Sequence, residues 1–134
     1  PEIEAGRCRG QAESDLGCGE GGVREGFFAQ ACFICQQASE KALKALHYRR
    51  GARMVLGHSL VELLHDLVSD HPPLSDLADA ARQLDLYYIP TRYPNGLPGG
   101  VPAEVFTPTQ ATEAVAYARR FIAIARTALG RGPR

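Results

Sequence analysis

Apolar residues recur through the middle of this chain at intervals of three and four. Phe28, Cys32, Cys35, Ala38, Ala42, Ala45 and Leu46 share one face, while Gln36, Gln37, Glu40, Lys41 and Lys44 fill the rest. The spacing predicts a long helix from about Val23 to Tyr48. A weaker helix is expected before it over Ile3 to Leu16, marked by Ile3, Ala5, Cys8, Ala12 and Leu16. Gly6 and Gly10 oppose it, each costing up to ~1 kcal/mol in a helix interior. The run GCGEGG from Gly17 to Gly22 is expected to break the chain between these two helices, and Gly51 and Gly57 bracket a short loop after them.

Downstream, Ser59 and Glu62 have the S-x-x-E spacing of a capping box, so a third helix is expected to start there with Leu60, Leu63, Leu64 and Leu67 facing the core. Pro72 and Pro73 separate it from a fourth, about Leu74 to Tyr88, whose Leu77, Ala81, Leu84 and Tyr88 repeat at helical spacing until Pro90 ends it. Four prolines and three glycines between Pro90 and Thr107 leave no room for a regular element, and a loop that long in a small domain points to function or an interface. The last helix opens on Thr107 and Gln110 around Pro108 at its first position. Ala111, Val115, Ala118, Ile122, Ala125 and Leu129 then form a seam of mostly small residues closed by Gly130. No segment reads as a strand. The chain is expected to be all-α, an up-and-down antiparallel bundle of four to five helices.

A chain of 134 residues suits one domain that buries about two-thirds of its unfolded surface without staples. It opens on Pro1, so the expectation is a single domain excised from a longer chain. No apolar run reaches the roughly 20 residues of a membrane span, and the start lacks a signal-peptide layout, which together suggest a cytoplasmic protein with no membrane partner. The cysteines are Cys8, Cys18, Cys32 and Cys35, and only the last two are close; one helical turn apart on an apolar face, they read as buried free thiols rather than a zinc or redox pair. No metal site is expected. The glycines at Gly17 to Gly22 lack the Lys-Ser/Thr and the preceding strand of a phosphate-cradling loop.

The charges, 15 basic against 15 acidic, sum to zero but are unevenly placed. Between Lys41 and His58 stand Lys41, Lys44, Arg49, Arg50 and Arg53 with no acid; between Glu62 and Asp85 the acids dominate. A basic end of the second helix can hold a phosphate group, and it can equally offset the helix dipole. Tyr87, Tyr88, Arg92 and Tyr93 form a second cluster able to stack a base or meet a partner. Tyr88, on the apolar stripe, reads as core, whereas Arg92 and Tyr93 in the loop read as functional.

Taken in order, CFICQQASEKALKAL, GHSLVELL and LDLYYIPTRYP resemble the HEPN domain family from about Ala5 to Leu129. The RYP segment is similar to the branch that includes the C-terminal domain of sacsin, as well as to small prokaryotic proteins that pair with nucleotidyltransferases. The resemblance implies a homodimer that binds a nucleotide triphosphate, ATP or GTP, in a basic groove. The positions it offers are Lys41, Lys44 and Arg53, to which the loop residues Arg92 and Tyr93 are added as nucleotide-binding candidates, with chaperone machinery or a nucleotidyltransferase as partner and no required cofactor or catalytic residue. The family's ribonuclease branch carries an Arg-x4-His pair, matched here by Arg53 and His58. Because His58 precedes a capping serine and Met54 follows the arginine, the expectation is a structural His58 and no ribonuclease activity.

Overall fold

The computed structural model describes residues 2–130. Six α-helices account for the regular structure: α1 (Glu2–Glu25), α2 (Phe28–Arg49), α3 (Leu60–His65), α4 (Ala78–Asp85), α5 (Pro102–Val105) and α6 (Pro108–Ala128). No strand occurs among the described residues, and none of their helices is long and apolar enough to cross a membrane. The expected helical bundle is therefore the architecture found.

Its frame is α1, α2 and α6. The turn at Gly26 and Phe27, with Gly26 at φ 82°, reverses the chain, so α1 and α2 form a tight hairpin. Arg119 meets Glu20 and Arg126 meets Glu13, so α6 runs against α1 and alongside α2. The seam Ala111, Val115, Ala118, Ile122 and Ala125 is buried within the chain against these two helices.

The break expected at Gly17–Gly22 does not occur; α1 runs through it without interruption. A Cβ on Gly19 would stand 2.6 Å from Cys35 Sγ, and one on Gly22 would stand 3.2 Å from Ala31 Cβ. These glycines are where α2 comes closest, so contact rather than chain reversal is the reason for them.

Beyond α2, the exposed turn 50–58 carries the chain back from the end of that helix to its middle. α3 then runs alongside α2, with the His47 Nε2 to Leu63 O distance at 2.9 Å and Arg50 donating to the Asp66 carbonyl at 2.6 Å. Ser59 caps α3 by accepting from the Glu62 N–H at 3.2 Å. Where the expected box called for a return bond from Glu62, a carboxylate from α4 completes the cap instead. The fourth helix is split: Pro72 and Pro73 open a 3-10 turn through Leu77, and α4 proper ends at Asp85. The loop after Pro90 holds a short 3-10 turn, Pro94–Gly96, and the four-residue α5, each begun by a proline. At Thr107 the second capping box forms in full, with Gln110 N–H on Thr107 Oγ1 at 3.2 Å and Thr107 N–H on Gln110 Oε1 at 2.9 Å.

The tightening after Asp85 shifts the helical phase, so the core place expected for Tyr88 is taken by its neighbour. Tyr87 is the core residue, edge-on to Phe106 at 5.6 Å with its hydroxyl accepting from Gln83 at 2.8 Å. Tyr88 is half-buried and turns toward α2.

Candidate functional site

Gln36 and Glu40 lie off the apolar face of α2, yet Gln36 is fully buried and Glu40 is only 4% exposed. Two turns cover it, the one ending at His58 and the one from Tyr88 to Tyr93. Burying a carboxylate is costly unless it is paired and hydrogen-bonded, and here it is both. Glu40 Oε1 lies 3.0 Å from His58 Nδ1 and accepts from Gln36 Nε2 at 3.4 Å, while Oε2 meets Lys44 Nζ at 3.2 Å. Gln36 also donates to the His58 carbonyl at 3.1 Å and accepts from Gln37 at 2.8 Å.

This arrangement settles which ring nitrogen of His58 is available. Against an ionised carboxylate Nδ1 must donate, which leaves Nε2 with the lone pair in the neutral ring. The His58 side chain is 56% exposed, and Nε2 makes no hydrogen bond among the described residues. Its ring stacks on Tyr88 with centroids 4.6 Å apart and planes 21° apart.

Arg92 completes the cluster. Its guanidinium carbon lies 4.5 Å from the centroids of both Phe33 and Tyr88 and 5.2 Å from that of Tyr93. Nε donates to the Tyr88 carbonyl at 2.9 Å, which fixes the side chain and leaves the two terminal nitrogens uncommitted. No carboxylate pairs with Arg92 among the described residues. Cation–π contacts hold a guanidinium without neutralising it, so its charge and in-plane donors remain for an anion.

Of the residues singled out in the sequence, Lys44, His58, Arg92 and Tyr93 come together here. Lys41 does not; its Nζ lies 2.6 Å from Asp15 Oδ2, on the side of α2 that faces α1. Arg53 sits on the exposed turn between α2 and α3, without a side-chain hydrogen bond or ion pair among the described residues. Arg50 is engaged with the Asp66 carbonyl and, at 3.6 Å, with Asp70. Phe33, Gln36, Glu40 and Tyr88 were not expected. A signal for the three on α2 existed: 33, 36, 37, 40 and 44 follow three-and-four spacing and form one stripe of that helix.

The cysteines hold no site. All four are free, Cys32 and Cys35 are fully buried as expected, and desolvation pushes both thiols up to about 12. No group of His, Cys, Asp and Glu among the described residues is arranged to hold a metal ion. A hollow of about 480 Å³ at the far end of α1, lined by Ile3, Arg9, Arg49 and Leu129 among others, shares no residue with the cluster.

The chain as a whole is similar to known proteins. The HEPN domain model matches residues 5–128. Among solved structures, TT1696 from Thermus thermophilus is 42% identical with a TM-score of 0.87, over 92% of this chain and 97% of that one. ST0689, an archaeal HEPN homologue, is 32% identical with a TM-score of 0.78, over 94% and 98%. An HEPN domain protein from Thermotoga maritima is 31% identical with a TM-score of 0.70, over 90% and 95%. No curated protein is similar to the chain at a significant level.

Proposed function

The chain belongs to the HEPN domain family, and from that premise we propose that it binds the phosphates of a nucleotide triphosphate, ATP or GTP, without catalysis and as a homodimer. The observation that carries this reading is the Arg92 guanidinium, held over three aromatic rings with no carboxylate to neutralise it. A fixed planar cation suits phosphate oxygens, and exposed Tyr93 beside it offers a face for a base. Lys44 is the second contact, although a phosphate must compete there with Glu40. Arg53 is a third, from the exposed turn. Lys41 contributes only if its pair with Asp15 opens.

Calorimetric titration tests this. Affinity should rise from adenosine through AMP to ATP and fall with salt, since charge-assisted contacts are screened. Arg92→Ala should weaken ATP by on the order of 1–3 kcal/mol while leaving the thermal unfolding midpoint near wild type. Equal ATP binding by wild type and an Arg92→Ala, Lys44→Ala double variant removes the assignment.

One observation favours a second reading, a metal-independent ribonuclease using His58 and Arg53. An imidazole oriented through Nδ1 by a buried carboxylate, with Nε2 exposed, is a serviceable general base. Cleavage of single-stranded RNA by wild type that disappears in His58→Ala would put this reading first; intact RNA with both keeps the binding reading. The setting we infer is the cytoplasm, where four free thiols stay reduced. The partners to test by co-purification are chaperone machinery, as the sacsin resemblance implies, and a nucleotidyltransferase.

A further inference from the structure

Asp85 ends α4, but its carboxylate serves another helix. Oδ1 accepts from the Leu60 N–H at 2.7 Å; Oδ2 accepts from the Val61 N–H at 3.2 Å and from the Ser59 hydroxyl at 3.0 Å. One carboxylate thus collects three donors at the start of α3, where a helix leaves its first N–H groups without partners. The residue before Ser59 is His58. A turn beyond Asp85 comes Tyr88, on which His58 stacks, and a turn beyond that comes Arg92, which lies over the Tyr88 ring.

The two segments fastened by Asp85 are therefore the two that bring His58, Tyr88 and Arg92 to α2. We infer that Asp85 is a positioning residue: it touches no ligand, and by joining these segments it sets the spacing of His58 against Tyr88 and Arg92. The inference rests on the site proposed above. The joint itself can be observed without any ligand.

A purely architectural role predicts something different, because α3 has other anchors. Leu60 is fully buried, Leu63 and Leu64 nearly so, and α2 holds the helix through the His47 contact with the Leu63 carbonyl and the Arg50 bond to the Asp66 carbonyl. All but Leu60 lie further along α3, away from the His58 turn. Loss of the Asp85 carboxylate should leave α3 docked and release the turn before it. At that turn Gln36 on the His58 carbonyl and Glu40 on its ring remain; neither touches Tyr88 or Arg92, which meet α2 separately at Phe33.

The test compares wild type, Asp85→Asn and Asp85→Ala. The first readout is the NMR shift of the His58 ring protons, which the stacked Tyr88 ring displaces from solvent values. The second is ATP affinity. In Asp85→Ala the His58 signals should move to solvent-like positions and ATP should bind about tenfold more weakly, the scale of one lost helix cap, while unfolding remains a single transition. Asp85→Asn keeps one carbonyl acceptor and should fall between. Wild-type His58 shifts in a folded Asp85→Ala overturn the inference. If that variant does not fold, wild-type shifts in Asp85→Asn overturn it; failure of both to fold also overturns it, since Asp85 then holds the fold rather than the site. Should wild type bind no ATP, the nucleotide reading falls and the His58 shifts alone decide the role of Asp85.

Discussion

Glu40 concentrates the chemistry of the site in one side chain. It is buried on a helix whose sequence marks it as solvent-facing, and the contacts with His58, Gln36 and Lys44 are what make that burial tolerable. Glu40→Ala should cost about 1–3 kcal/mol of stability by leaving these partners unpaired, and it should free the His58 ring. Chemical denaturation, with the His58 NMR signals followed in parallel, checks both. The thiols give a prediction with a definite pH sense. Cys32 and Cys35 ionise only near about 12 in the folded chain, against a reference of 9.0. The unfolded chain therefore loses these protons first as the solution becomes alkaline. The stability they contribute is complete below about pH 9 and is lost as pH rises toward 12, and the raised thiol of Cys8 and phenol of Tyr87 act in the same sense. Thermal midpoints measured from pH 8 to 11 should fall accordingly, and a thiol reagent at pH 8 should modify exposed Cys18 while sparing Cys32 and Cys35 until unfolding. At this scale the sequence displayed the stripe that carries Glu40 but could not show what would cover it. That depends on the turn ending at His58 returning to the middle of α2, a contact between residues far apart in the chain.

The helices were legible wherever a local rule decided them. Thr107, Pro108 and Gln110 start α6 as their chemistry requires, because a capping box is complete within four residues. The error at α1 came from reading glycine by propensity alone. Gly17 and Gly19 are both interior to the helix, yet one has nothing within 4 Å of an added Cβ and the other would meet Cys35 Sγ at 2.6 Å. Opposite outcomes follow. Gly17→Ala should stabilise by roughly 0.5–1 kcal/mol, since alanine loses less backbone entropy. Gly19→Ala should destabilise by about 1–3 kcal/mol through overpacking against α2. Thermal unfolding of the two single variants reads the difference, and two stabilised proteins would show that α1 and α2 are not in the contact described. The split of the fourth helix has a similar cause: Pro72 and Pro73 favour a tight 3-10 start, and the altered phase after Asp85 then exchanged Tyr87 for Tyr88 in the core.

On the scale of the whole molecule, zero net charge conceals a basic α2 terminus facing acidic neighbours, and the Arg50–Asp70 ion pair at 3.6 Å offsets part of it. The apolar surface is redistributed in the same way. The small-residue seam of α6 is consumed by α1 and α2. Exposed apolar residues remain at Ile3, Phe27, Val101 and Val105, and a further group lies on the segments around the candidate site: Leu56 on the turn before His58, Val61 at the start of α3, and Leu86 and Ile89 after Asp85. A chain of this size has little reason to leave such residues in water unless they are covered, and a two-fold pair covers them twice over. The homodimer proposed above is therefore expected to form across this face, next to Arg92, rather than along α6. Sedimentation at micromolar concentration should give twice the 14.5 kDa of one chain. A Leu86→Asp, Ile89→Asp variant should sediment as a folded monomer, because the charges lie on the surface of the single chain and disturb only the pairing. A variant that still dimerises places the interface elsewhere, and wild type that sediments as a monomer removes the dimer altogether.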